Sequence, residues 1–323
     1  MAESSWAGTR VLVTGSAGVI GRELLARLRR RNATLLSVDR EPLPPGEEGD
    51  LEHLRLDLGD APLERLRDFR PEAVFHLAAA FERSEETPDF WGPNWHDNAL
   101  VSHRMADLAS RTASIRTYVF ASSYLVYRPS LYLFAEPRPS PVLLREDDPI
   151  APRNLCGAAK FHAERELDFV REVLRPDLRT VHARICRSYG RGSRDIVSRW
   201  VRAALDSERI DLFGAEGRFP YVFAGDVAEG LVRLAECEAA HGPVNLALGR
   251  SRTVREVLEV VGRLVPGVLE RVRTRESRGP YEASGVDLSR LERFTGWTPS
   301  TDLEQGIAQV VEYEADRRRG ERR

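Results

Sequence analysis

The sequence predicts an α/β fold: a doubly wound parallel sheet with a smaller C-terminal lobe. Three features of the 323-residue chain point to it. Short apolar runs alternate with amphipathic segments, as strands and helices do in βαβ units. The first run ends in a glycine-rich turn that opens a helix. The second closes on an acid, Asp39.

Residues 10–15, Arg-Val-Leu-Val-Thr-Gly, form an apolar run ending at glycine, as a buried parallel strand does. Residues 21–31 carry Leu24, Leu25 and Leu28 at helical spacing among arginines, which predicts an amphipathic helix. A second strand is expected over 35–39. Residues 73–79 and 118–122 repeat the strand pattern, with a helix between them at 98–111. Such alternation implies right-handed crossovers. The proline-rich, aperiodic segment 129–152 predicts a long loop. A helix follows over 153–174. Further on, strands are expected at 180–185 and 244–248, and helices at 226–238, 253–264 and 303–317. Residues 1–183 then form a nucleotide-binding domain, to which about 220–250 return, and 184–323 are mainly a substrate-binding lobe.

Hydrophobic residues at 42%, charged residues at 30% and a net charge of −2 describe a globular protein with no call for nucleic acid or an anionic membrane as partner. Cys156, Cys186 and Cys237 are too scattered for a disulfide framework or a metal knuckle, so no metal is expected. Residues 1–10 lack the basic and apolar stretches of a secretory signal, and no apolar run is long enough to cross a membrane. A cytoplasmic location is expected. Of 48 basic residues only Lys160 is lysine. Arginine stays protonated, whereas an amine has a pKa that burial and neighbours can move. Lys160 is therefore singled out for chemistry rather than for charge.

In Thr14-Gly15-Ser-Ala17-Gly18-Val19-Ile20-Gly21, the glycines permit a tight turn, close approach to a pyrophosphate and close helix–strand packing. The helix start supplies N–H donors for the phosphates. Asp39, 18 residues beyond Gly21, is placed to accept from ribose hydroxyls and to repel a 2′-phosphate, favouring NAD over NADP. Arg40 beside it is a group that accommodates such a phosphate. Asp57, followed by Leu58, is either an adenine contact or a loop cap.

With these residues the chain resembles the extended short-chain dehydrogenases/reductases, in particular the NAD-dependent epimerase/dehydratase group acting on nucleotide sugars. Further matches are His76-Leu77-Ala78-Ala79, Asn98, Ser122-Ser123-Tyr124-Leu-Val-Tyr127, Cys156-Gly-Ala-Ala-Lys160 with Glu164, Tyr189-Gly190, Asp226-Val-Ala228, Asn245 and Gly296-Trp-Thr-Pro299. The resemblance implies a Rossmann-type sheet, bound NAD contacted by Leu77, Ala78, Ala79, Asn98 and Lys160, and a homodimer built on the helices of Asn98 and Cys156. It also implies that Ser123 hydrogen-bonds the reacting oxygen while Lys160 holds the nicotinamide ribose. A tyrosine normally takes the substrate proton, and Cys156 stands in its place.

Cys156, Lys160 and Glu164 at i, i+4 and i+8 share a helix face. A thiol's reference pKa is about 8.5 against about 10 for phenol, and a neighbouring ammonium lowers it further. Acidity therefore suits a base, but the thiol is shorter than the phenol. A deeper-seated substrate, a bridging water or another group would restore the contact, with Tyr124 and Tyr127 as candidates for the last; His162 points elsewhere on the helix. Family members that eliminate water have carboxylates after Ser123. This chain has Tyr124-Leu125, which favours epimerisation by hydride abstraction and return. Substrate contacts are expected from Ser123, Tyr124, Arg187, Arg218 and Arg278; Arg187 stands where many members have asparagine. Two readings stay open beside the nucleotide-sugar epimerase: a catalytically silent NAD-binding regulator, and a dehydrogenase or reductase on a non-nucleotide substrate.

Overall fold

The computed structural model describes residues 6–49, 51–80, 87–277 and 279–321. Its centre is a parallel sheet of β1 (Arg10–Thr14), β2 (Thr34–Asp39), β3 (Glu52–Arg55), β4 (Ala73–His76), β5 (Thr117–Ser123), β6 (Arg179–Ile185) and β7 (Gly242–Leu246). The strand order is β7-β6-β5-β4-β1-β2-β3. The chain winds outward from β1 to β3, then returns and winds the other way from β4. That reversal opens a crevice beyond the C-terminal ends of β1 and β4, where such sheets bind ligands.

Alternate residues of each strand enter opposite cores. Val11, Val13, Phe75, Val119 and Val181 pack with Leu24, Leu25 and Leu28 of α1 (Val19–Arg30) on one face, together with Val227 and Leu231 from a later helix. On the other face Leu12, Leu36, Val74, Tyr118 and Phe120 meet Met105 of α2 (Val101–Arg111) and Ala163 and Leu167 of α3 (Leu155–Phe169). Burial on both sides is why the central strands read as unbroken apolar runs. A second core gathers Val197 and Val201 of α4 (Ile196–Leu205), Phe223 just before α5 (Ala224–Glu236), and Val257, Val261, Ile307 and Val310 from α6 (Val254–Leu264) and α7 (Leu303–Glu321).

Segment 129–152 departs from the loop expectation. Leu133–Phe134 pairs antiparallel with Tyr281–Glu282, and Val142–Leu144 pairs parallel with Ser284–Val286. Strands of two or three residues show no periodicity, and their partners lie far along the chain. The edge strand β3, Glu-His-Leu-Arg, likewise lacks an apolar run. The unforeseen α4 did have a signal: Asp195 caps it, accepting from Val197 N at 2.7 Å and Ser198 N at 3.2 Å.

Candidate functional site

The glycine turn is fixed by contact. Gly15 has φ +69°, and a Cβ there would stand 2.5 Å from the Ala78 nitrogen. At Gly21 a Cβ would strike the Gly15 carbonyl and the Ser16 backbone. Gly18 is freer, meeting only the Gly15 oxygen at 3.1 Å. It precedes α1 with no side-chain cap and no acid in the first turn. The helix start thus keeps unsatisfied N–H groups and positive potential toward the crevice beside Ala17, Val19 and Ile20. These features fit a dinucleotide pyrophosphate.

Asp39 ends β2 and accepts from Ala17 N at 2.9 Å and Glu41 N at 3.0 Å, which joins it to the turn. Arg40 makes a forked pair with Asp97 at 3.0 and 2.9 Å and lies 3.6 Å from Asp57. Asp57 also caps its own loop, accepting from Gly59 N at 2.9 Å. Leu58 is buried. His96 joins this edge, 2.8 Å from Asp97, and its hydrogen bonds to Asp97 and Asp60 raise its pKa against the smaller effect of burial. Ligand atoms of Asp57, His96 and Asp97 lie within 4.8 Å of one another, but the Arg40 guanidinium already supplies the cation between the two carboxylates. Neither His96 nor Asp97 carried a sequence signal.

The loop after β4 joins the glycine turn to the second half of the site. Leu77 and Ala78 abut Gly15. Two residues beyond Ala78, Ala80 is clamped by buried Asn98, which accepts from its N–H at 2.8 Å and donates to its carbonyl at 2.9 Å. A wide π turn over Trp95–Leu100 carries Asn98 there. With its remaining donor given to Asn94, Asn98 positions the loop that includes Ala79. The Cys156 thiol reaches the same Ala80 carbonyl at 4.0 Å.

Cys156 lies in the first turn of α3, capped by Asn154. The turn is pressed on residues 124–126, since a Cβ at Gly157 would come within 2.6 Å of the Leu125 oxygen. Ser123 ends β5 and accepts from Leu125 N at 3.2 Å. One turn below the thiol, Lys160 is 6% exposed, its ammonium 4.7 Å from the Phe120 ring centroid and without a hydrogen-bond partner among the described residues. Burial lowers its pKa, with Cys156 acting the other way. His76 stacks on the same ring at 5.6 Å and bonds Thr14 and Ser102. Burial, then the Lys160 charge, pushes His76 down to about 3, so it is neutral. Below these, Glu164 accepts from Ser122 at 2.5 Å and from Arg184 at 3.0 and 2.8 Å, locking α3 to the sheet.

Tyr127 corrects one expectation. Its hydroxyl donates to Asn245 at 2.7 Å, and burial raises its pKa, so it does not substitute for a base at position 156. Tyr124 is buried against Tyr132 and likewise raised, by burial and then Glu282, against the pull of Arg187. Arg187 lies two residues past Ile185, the register partner of Ser123, and stacks on Phe219 at 3.7 Å. Arg218 is farther out, donating to the Arg138 carbonyl at 3.2 Å, with Glu256 at 3.8 Å. Arg278 lies outside the described residues. Phe219, Tyr221, Arg153 and Glu282 complete the surroundings of Arg187 and had no spacing signal, because they come from separate segments.

Residues 11–247 match the family model described as the NAD dependent epimerase/dehydratase family. The UDP-glucose 4-epimerase of Mycolicibacterium smegmatis is 29% identical over 320 residues, covering 94% of this chain and 98% of the relative. The Thermus thermophilus UDP-glucose 4-epimerase complexed with NAD superposes with a TM-score of 0.81 at 26% identity, over 95% of this chain and 99% of that one. MoeE5 in complex with UDP-glucuronic acid and NAD gives 0.82 at 27%, with the same coverage. In no described helix is there a stretch long and apolar enough to cross a membrane. By its glycine turn, its sheet order and this match over most of its length, the chain belongs to the NAD-dependent epimerase/dehydratase family.

Proposed function

We propose that the protein epimerises a nucleotide sugar, using NAD as a resident cofactor that supplies the hydride acceptor and donor. The observation that carries this reading is the shared loop at 77–80, with the glycine turn on one side and Cys156 above Lys160 on the other. In this reading the N–H groups at the start of α1 bind the pyrophosphate, and Asp39 accepts from the adenosine ribose. Lys160 gives its unengaged ammonium to the nicotinamide ribose. Ser123 orients the sugar hydroxyl, and Cys156 accepts its proton directly or through a water. Residues 184–323 contribute most of the sugar-nucleotide contacts, Arg218 among them.

The test is single-turnover absorbance in the reduced-nicotinamide band, with NAD-loaded protein and a panel of UDP-, GDP- and TDP-hexoses and uronates. A transient rise with any sugar is expected. No signal across the panel, with NAD demonstrably bound, overturns the reading. A lasting rise instead marks a one-way dehydrogenase. One feature favours a second reading, an NAD-binding regulator without turnover: the Tyr127 hydroxyl is engaged with Asn245, so that phenol does not take the place of the tyrosine replaced by Cys156.

We propose also that the protein acts in the cytoplasm as a homodimer. Its three cysteines, none in a disulfide, suit a reducing compartment. Trp95, on the helix that runs into α2, and Phe169, at the end of α3, with Val173 just beyond it, are large exposed apolar side chains on neighbouring helical segments.

A further inference from the structure

Arg187 is a half-buried cation that forms no ion pair with any described carboxylate. Its Nε is shielded from solvent and without a hydrogen-bond partner. Of the carboxylates near it, Glu282 is taken: Arg153 holds it at 2.6 Å, and the Ser284 hydroxyl donates to it at 2.6 Å. Phe219 covers one face of the guanidinium at 3.7 Å and supplies a surface but no acceptor. The Tyr221 hydroxyl, which acts on Arg187, is also buried and unpartnered. Burial works to lower the Arg187 pKa, while Tyr124, Glu282 and Tyr221, with a hydrogen bond to Tyr124, outweigh it, so the charge is permanent.

A guanidinium in such a place without a carboxylate partner is costly unless a ligand supplies the anion. Its planar fork matches a carboxylate, which has two oxygens in one plane. Location decides which anion. Arg187 follows Ile185, whose register partner is Ser123, and it neighbours Tyr124, so it stands by the sugar rather than by the diphosphate.

We infer that Arg187, with the Tyr221 hydroxyl, receives a carboxylate carried by the hexose, so that the substrates are nucleotide-linked uronic acids rather than neutral sugars. This rests on the nucleotide-sugar reading above and narrows it.

The experiment is calorimetric titration of the NAD-loaded protein with UDP-glucuronate, UDP-galacturonate, UDP-glucose, UDP-galactose and UDP, for the wild type, Arg187→Asn and Arg187→Lys. Wild type is expected to favour the uronates by at least ~10-fold over the neutral hexoses. Arg187→Asn is expected to bring that ratio near unity, and Arg187→Lys, which keeps the charge but not the fork, to retain part of it. Equal wild-type affinity for uronates and hexoses overturns the inference while leaving the nucleotide-sugar reading intact. So does an Arg187→Asn loss that is the same for UDP as for the uronates, which would assign Arg187 to the diphosphate. Binding of none of the five ligands would sink both readings. The wild-type series alone decides the selectivity if the variants fold poorly.

Discussion

Burial of Lys160 has opposite consequences for stability and for chemistry. Its folded pKa is lowered from 10.5, so the unfolded chain holds the proton more firmly. The residue's contribution to stability therefore improves as pH rises from the folded pKa toward 10.5, and near neutrality the buried charge is a burden. Lys160→Met should raise Tm by roughly 2–4 °C while lowering turnover at least ~100-fold, read by calorimetry and the single-turnover assay. A Tm gain with unchanged turnover would remove Lys160 from the site. His76 works in the other pH direction. Its folded pKa is about 3 against 6.5, so its stabilisation is full above 6.5 and is lost as pH falls toward 3. Between pH 7.5 and pH 5 wild type should lose ~2 kcal/mol through this residue. His76→Gln should lack that component in urea titrations at the two values.

The glycine turn divides into positions that hold the fold and one that faces the ligand. Gly21→Ala drives a Cβ into the Gly15 carbonyl, and should cost ~1–3 kcal/mol as well as cofactor affinity. Gly18→Ala meets only one oxygen at 3.1 Å. It should leave the thermal midpoint within about 1–2 °C while weakening NAD by roughly 10-fold or more. Equal Tm losses in the two variants would show that both glycines only pack. At this scale the sequence was most readable where an element is regular and buried: β1, α1 and β5 announce themselves through apolar period and punctuation. The short strands at 133–134 and 142–144 do not, because each is completed by residues 281–286. The site divides in the same way. Gly15, Asp39, Cys156 and Lys160 lie in local patterns, whereas the Asp97 partner of Arg40 and the surroundings of Arg187 exist only after folding.

At the scale of the molecule, α3 joins three functions along one helix. Its first turn presents Cys156, its middle anchors to the sheet through Glu164 and Arg184, and its end exposes Phe169, with Val173 just beyond. Light scattering should give a dimer for wild type, and Phe169→Glu with Val173→Glu should give a monomer that still binds NAD. A wild-type monomer would remove the proposed assembly. The near-total use of arginine has one more outcome. Among the 323 residues an amine-directed reagent meets a single side chain, and that side chain is almost sealed from solvent. A lowered pKa leaves more of it as the nucleophilic free amine. The protein thus carries a built-in occupancy gauge: the rate at which that one nitrogen is acylated, followed by mass, reads how often the floor of the crevice is uncovered.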